Sequence, residues 1–186
     1  RVLKNGQRIY PANTDWEELS TGKSELKAVC DVKDGDVISI EFYGTSSSAT
    51  CLIDSTPSIT VADAKDANNL DDTTFSPLWE RPYGDSSYVG ECVIPEGSVW
   101  NYEILKTADK TVATADYYDS YSKMLYKKDM PDCGYIFEEE SLKFAFGDGS
   151  GGMSLVFNVP ARGYYDFSSF FEISKGAGRI KLRILK

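Results

Sequence analysis

The feature that most constrains this fold is a succession of short segments in which apolar and polar residues alternate, separated by clusters of Gly, Pro, Asp, Asn and Ser. Alternation with a period of two gives a strand one apolar and one polar face. Many short strands with turn residues between them are typical of antiparallel sandwiches and barrels. The pattern therefore predicts an all-β fold, an antiparallel, jelly-roll-like β-sandwich with at most short helical turns.

Turn residues divide this pattern into strands and connections. Clusters at 33–36, 147–152 and 175–178 contain the Gly, Asp and Ser residues of tight turns and predict hairpins. Near the start, Thr14-Asp15-Trp16-Glu17 followed by Glu18 and Leu19 has the form of a capping box, which predicts a short helix. The predicted strands are Leu26–Val32, Val37–Gly44, Ala49–Ile53, Ser58–Val61, Tyr88–Ile94, Val99–Lys106, Lys123–Tyr126, Leu142–Phe146, Met153–Val159, Tyr164–Ile173 and Arg179–Leu185.

The apolar faces of these strands define the expected core. Between Val99 and Lys106, alternation places Trp100 and Tyr102 on the more apolar face, so both are predicted to be buried. The full set of residues expected to be largely buried is Ile38, Ile40, Phe42, Trp100, Tyr102, Phe157, Ile180, Leu182 and Ile184.

Length and charge limit the partners. At 186 residues and 41% hydrophobic content, the chain can bury the core of one domain, expected over 1–186. A formal net charge of -9 repels phosphate backbones and anionic headgroups, and no apolar run approaches the roughly 20 residues that span a bilayer. We expect no nucleic-acid partner, no membrane insertion and a monomeric module of a larger secreted protein, attached to the cell surface through other domains.

The absence of histidine excludes a Ser-His-Asp or Cys-His nucleophile and a histidine-bound metal. The four cysteines form no CxxC pair, so a zinc site of the usual spacing is absent as well. They are predicted to be mainly buried thiols with at most one disulfide among them. These cysteines are Cys30, Cys51, Cys92 and Cys133.

No cofactor is expected, although hard cations bind clustered carboxylate and carbonyl oxygens. Two segments are therefore candidates for a structural calcium ion. Neither has the spacing of an EF-hand, and the preferred interpretation of both is that their acids form turns. The candidates are Gly147-Asp148-Gly149 and the group Asp63, Asp66, Asp71 and Asp72.

Trp79 is the first candidate for ligand binding. Pro77 and Pro82 bracket it and exclude a regular central strand. An indole held in such a loop loses little entropy when it stacks on a ligand, although it could equally be a lid over the core. A pyranose packs its apolar C–H face on a ring while vicinal hydroxyls take forked hydrogen bonds from charged groups. The neighbours that would supply these groups are Glu80, Arg81, Tyr83, Asp85 and Tyr88.

Each of two further aromatic segments has two possible interpretations. Trp16 is either a second stacking platform or a staple that ties the terminus to the sandwich. The run Asp116–Tyr121, predicted to be a loop entering the strand at Lys123, either binds sugar or covers a sheet edge, and edge cover is favoured.

The C-terminal third carries the pattern Phe157-Asn158-Val159-Pro160-Ala161-Arg162-Gly163-Tyr164-Tyr165-Asp166-Phe167, followed by a glycine-containing turn and Gly178–Lys186. This pattern resembles the closing strands of β-sandwich carbohydrate-binding-type modules in secreted glycan-degrading or glycan-adhering proteins of Gram-positive gut bacteria. The stretches 34–42, 100–103 and 117–122 agree with it. The resemblance implies a sandwich and a glycan ligand, and it transfers no individual binding residue.

The preferred function is a non-catalytic polysaccharide-binding module, with starch-type α-glucan favoured. A curved glucan is gripped by one or two loop aromatics, whereas a flat crystalline chain needs a row of coplanar rings. One alternative is a protein-recognition or adhesion domain. The other is a small jelly-roll glycosidase with paired carboxylates from Glu41, Glu103 and Glu172, which alternation otherwise places on solvent-facing sides.

Overall fold

The fold is given by a computed structural model. It describes residues 3–4, 7–10, 17–19, 23–44, 51–55, 58–64, 74–75, 87–105, 112–138, 142–146, 151–160, 162–175 and 180–185. Side chains are described within 31–43, 87–105, 113–138, 142–145, 151–160 and 162–165.

The described residues form strands and connections and contain no helix, which confirms the all-β prediction. Each predicted strand overlaps an observed one. The strands are β1 (Leu3–Lys4), β2 (Gln7–Tyr10), β3 (Glu17–Leu19), β4 (Lys23–Val32), β5 (Val37–Gly44), β6 (Cys51–Ser55), β7 (Ser58–Ala64), β8 (Thr74–Phe75), β9 (Val89–Glu91), β10 (Trp100–Leu105), β11 (Val112–Thr114), β12 (Tyr117–Asp119), β13 (Met124–Lys127), β14 (Met130–Phe137), β15 (Leu142–Phe146), β16 (Gly151–Asn158), β17 (Gly163–Lys175) and β18 (Ile180–Leu185).

The strands form two antiparallel sheets. The first sheet has eight strands in the order β11-β10-β16-β5-β1-β2-β18-β3, with β18 also paired to β5. The second sheet has ten, in the order β8-β7-β17-β6-β15-β14-β13-β12-β9, with β4 paired to β17. At one end the chain passes between the sheets through Ala115, whose amide donates to Tyr102 O at 2.8 Å before β12 begins.

The core lies between the facing sides of these sheets and is rich in aromatic contacts. Phe42 of the first sheet meets Phe144 of the second with ring centroids 4.3 Å apart. Tyr102 likewise meets Tyr135 edge-on at 5.1 Å. Such tilted pairs join the two sheets through side chains alone.

The predicted core is confirmed wherever side chains are described. The buried members are Ile38, Ile40, Phe42, Trp100, Tyr102 and Phe157. Ile180, Leu182 and Ile184 lie in β18, and their side chains fall outside the described residues.

The predicted hairpin at 33–36 is wrong. The turn itself is present, because Gly35 has a positive φ of 77° and the amide of Asp36 donates to Lys33 O at 3.0 Å. It joins β4 of the second sheet to β5 of the first, however, so the chain changes sheets instead of pairing. The clusters after β15 and after β17 also link strands of different sheets.

Two local predictions near the chain start and in the tyrosine run are also wrong. Glu17–Leu19 is strand β3, paired with β18, where a short helix was predicted. Tyr117–Asp119 is strand β12, paired on both sides, where a loop was predicted. In both cases pairing with neighbouring strands satisfies the backbone groups, and this tertiary gain overrides the local preference.

Candidate functional site

Of the seven predicted ligand-binding residues, only one lies within the described part of the chain. Tyr88 is half-buried and packs against the core. The other six, which are Trp16, Trp79, Glu80, Arg81, Tyr83 and Asp85, lie outside the described residues. Their proposed role therefore stays a prediction.

Tyr88 is held at the edge of the second sheet, just before β9. Its hydroxyl donates to Glu91 O at 2.5 Å, so the side chain lies along the strand. Its carbonyl oxygen accepts from Ser120 N at 2.9 Å. This second bond places Tyr88 beside the turn that follows β12.

That turn carries the most exposed aromatic ring among the described side chains. Tyr121, with 73% of its surface exposed, follows directly on Ser120. Asp119 organises the backbone around it, since Oδ1 accepts from Tyr121 N at 2.9 Å and Oδ2 accepts from Ser122 Oγ at 2.8 Å. An aspartate that bonds two residues ahead in this way fixes a tight turn. We call Asp119–Lys123 the Tyr121 turn.

The far end of the Tyr121 turn is also fixed. Lys123 has a positive φ of 55°, an uncommon conformation for a residue with a side chain. Its carbonyl oxygen accepts from Phe137 N at 3.1 Å, and its ammonium lies 3.6 Å from Glu138 Oε2. The turn is therefore tied to β14 as well as to Tyr88, and it presents Tyr121 from a rigid base.

Below the turn, two tyrosines lie opposite each other on the outer face of β12 and β13. The rings of Tyr117 and Tyr126 are 5.6 Å apart and inclined by 59°. Lys128 Nζ lies 5.1 Å from the centroid of Tyr117, within the range of a cation–π contact. Burial, with smaller contributions from Asp119 and Tyr117, raises the pKa of the Tyr126 hydroxyl, which stays protonated at neutral pH.

The base of this face is braced by Asp116. Its carboxylate accepts from Lys127 Nζ and, at 3.2 Å, from Lys128 N. Partial burial alone would raise the pKa of Asp116, but the bonds from Lys127 and Lys128 outweigh it and lower that pKa. The aspartate is thus ionised at neutral pH and anchors the hairpin of β13 and β14.

Comparisons with protein-family models, curated proteins and solved structures find no match. The site is therefore interpreted from its own geometry.

The two candidate catalytic acids with described side chains lie in one row across the first sheet. Ser154 of β16 pairs with Glu103 of β10 on one side and with Glu41 of β5 on the other. Burial raises the pKa of Glu103, while a hydrogen bond with Ser154 lowers it less. Arg183 of β18 lies opposite Glu41 in the next pairing. The side chain of Glu172 is outside the described residues.

The expectation that Glu41 faces solvent is wrong. Glu41 does point away from its neighbour Phe42 and the core, as alternation predicts, but only 4% of it is exposed. Ser154 and Tyr43, on the same side of the sheet, are also buried. The outer face of the first sheet is thus covered around Glu41 and Ser154, and alternation alone could not indicate that.

The predictions about cysteines and metal ions concern residues that the structure describes only in part. Cys92 and Cys133 are buried and form no disulfide, while the side chains of Cys30 and Cys51 are not described. Among the side chains described, no three acids or cysteines are arranged to hold a metal ion. Both candidate calcium segments lie outside these side chains. Within the described part of the chain there is also no helix with the length and apolarity of a membrane span.

The sequence pattern points to the tyrosine run but not to Tyr121 as a binding residue. The usable signal was Asp119-Ser120-Tyr121-Ser122, in which an aspartate and two serines favour a turn. A turn at this point places Tyr121 at a tip, outside the alternation that buries Tyr118.

Proposed function

We propose that this protein is a non-catalytic, polysaccharide-binding module in which Tyr121 is the principal stacking residue. The observation that supports the proposal is an aromatic ring, 73% exposed, on a turn fixed by Asp119. Tyrosine provides a large apolar face and a polar hydroxyl, the combination that a pyranose ring needs. Because the turn is already ordered, little entropy is lost when a sugar binds.

The geometry favours a single, curved glucan chain over a crystalline surface. Tyr117 and Tyr126 are inclined by 59°, so they do not form a coplanar strip. The ring of Tyr117 is in addition in contact with Lys128, so Tyr121 is the ring most open to a ligand among the described side chains. One dominant ring suits a starch-type α-glucan, held weakly at each site.

The position of the acids supports a binding role over catalysis. A glycosidase needs two carboxylates that both reach the scissile bond. Glu103 and Glu41 are two strand positions apart, which is about 9.6 Å between backbones, but Glu41 is 4% exposed. A carboxylate this deeply buried is closed to a saccharide. We therefore assign the row a structural role.

The test is affinity electrophoresis in gels containing soluble starch, with cellulose and xylan as other glycans. Tyr121→Ala should weaken retention by starch about fivefold or more, since a lost stacking contact costs about 1 kcal/mol. The matched control is Tyr164→Ala. Tyr164 is also exposed, but its strand β17 lies five positions from β12, or about 24 Å across the sheet.

The remaining variants separate the alternatives. Trp79→Ala and Trp16→Ala test the two predicted residues outside the described part. Retention unchanged in Tyr121→Ala would refute the assigned site, and failure to bind any glycan would favour the protein-adhesion class. Reducing-sugar release should stay at background, and turnover that Glu103→Gln abolishes would establish a glycosidase.

A further inference from the structure

A concave feature lies away from the Tyr121 turn, at the outer face of the first sheet. It is a cleft of about 420 Å³ at the start of β10 and the end of β16. One wall is the segment that leads from β9 to β10, and the other is Val159 and Pro160. Asn101 and Asn158 also line it, one from each strand.

The walls of this cleft are fixed by short-range bonds. Ser98 N donates to Pro95 O at 3.1 Å, closing a turn in which Gly97 has a positive φ of 83°. Asn158 closes the other side, because its backbone amide donates to Val99 O at 2.7 Å and its Nδ2 donates to Ser98 O at 3.2 Å. The cleft is therefore formed before any ligand binds.

The lining chemistry defines the ligand class. Apolar surface comes from Ile94, Pro95 and Pro160, and hydrogen-bonding groups come from Asn101, Asn158 and Ser98. Glu96 is the charged residue of the lining, and no lysine or arginine occurs among the described residues that form it. Apolar walls with a few fixed polar groups are typical of small-molecule sites. Without a cation, the cleft disfavours anions and suits a neutral, hydroxyl-rich ligand.

We propose that this cleft binds a short segment of a neutral glycan chain, as a second subsite that complements the Tyr121 turn. The inference rests on the proposed function. A ring on an exposed turn offers a stacking face, whereas a cleft of about 420 Å³ also supplies hydrogen-bonding groups from two walls to a sugar that enters it. Asn101 and Asn158 would take the hydroxyls, and the proline and isoleucine side chains would contact the C–H faces.

The test is chemical-shift mapping by two-dimensional ¹H–¹⁵N NMR with maltose, glucose and glucuronate as probes. Maltose and glucose should shift resonances within 94–101 and 158–159. Glucuronate should bind at least fivefold more weakly, because its carboxylate meets Glu96 and the other acids of a chain with net charge -9. Asn101→Ala should weaken maltose binding at these resonances at least fivefold.

The two proposals fail separately. Shifts confined to the Tyr121 turn, or maltose affinity at the cleft unchanged in Asn101→Ala, would overturn the cleft while starch retention through Tyr121 stands. Glucuronate bound as tightly as glucose would overturn its selectivity for neutral sugars. Starch retention that does not depend on Tyr121 would instead refute the proposed binding residue, whatever the cleft does.

Discussion

The hydroxyl of Tyr135 joins the two sheets across the core, and its removal provides a test of the sandwich. Tyr135 lies in β14 of the second sheet with 0% of its surface exposed. Its hydroxyl donates to the carbonyl oxygen of Glu103 in β10 of the first sheet at 2.7 Å. Burial raises the pKa of Tyr135 well above its usual value, so the donor proton is retained through neutral and mildly alkaline pH.

Tyr135→Phe keeps the ring and its contacts with Tyr102 and Phe144 and removes one oxygen. The loss is therefore that of a buried hydrogen bond, about 1–2 kcal/mol in the free energy of unfolding. For a chain of this length, 1 kcal/mol corresponds to about 2–4 °C in melting temperature. A decrease of about 2–8 °C is expected.

Thermal and urea unfolding, followed by near-ultraviolet circular dichroism, would measure this change. Tyr121→Phe is the matched control, because its hydroxyl lies on an exposed side chain and its loss should change stability by less than about 0.5 kcal/mol. If Tyr135→Phe unfolds within that margin of the wild type, the hydroxyl does not connect the sheets as described.

Three other changes test the packing and the ionisable groups. Gly152→Ala should lower the free energy of unfolding in urea by more than about 2 kcal/mol, because the new Cβ would collide with the carbonyl oxygen of Phe42. An unchanged free energy of unfolding would contradict this close approach of β16 and β5. Burial raises the pKa of Glu103, so the folded state holds its proton more tightly than the unfolded chain does. The wild type should therefore lose stability relative to Glu103→Gln as the pH rises. The loss should begin below the ordinary glutamate pKa and end above the raised pKa of Glu103. Unfolding free energies of the two proteins with the same pH dependence would refute this. Burial raises the pKa of Cys92 to about 11, and Cys133 is buried as well. A thiol reagent should therefore react slowly with both cysteines in the native protein and rapidly after unfolding without reductant. If the unfolded chain had no free thiol, the two cysteines would not be unbridged as described.

The positions of most of the longer strands followed from the sequence, but the partners of the strands did not. Alternation and turn residues indicated β4 and β5 and the turn between them. The same Asp34-Gly35 pair would serve a hairpin or a crossing between sheets, because both reverse the chain within a few residues. The choice depends on which strands complete each sheet. Here β4 pairs with β17, whereas β5 pairs with β16 and β18.

Strand β14 was not predicted, because its sequence is atypical of a strand that pairs with neighbours. Met130–Phe137 contains Pro131 and Gly134, both of which favour turns over central strands. The structure accommodates them in an irregular ladder, since Lys127 pairs with Met130 while the adjacent Tyr126 pairs with Gly134. The extra residues bulge between these pairs. At Gly134 itself, a Cβ would collide with Leu125 O, so the residue that obscured the strand is required by it.

The sequence pointed to the chemistry that we propose for the site, but not to its location. Abundant tyrosine without histidine pointed to stacking and hydrogen bonding in place of nucleophilic catalysis. Which tyrosine is available depends on pairing, because β12 buries Tyr118 between the sheets and presents Tyr117 beside Lys128. Tyr121 lies just after the strand ends, so it is neither buried in the core nor covered by Lys128. There Asp119 fixes its backbone. Under the proposed function, stacking on this protein should therefore depend on how the strand ends as much as on how many aromatic residues the chain contains.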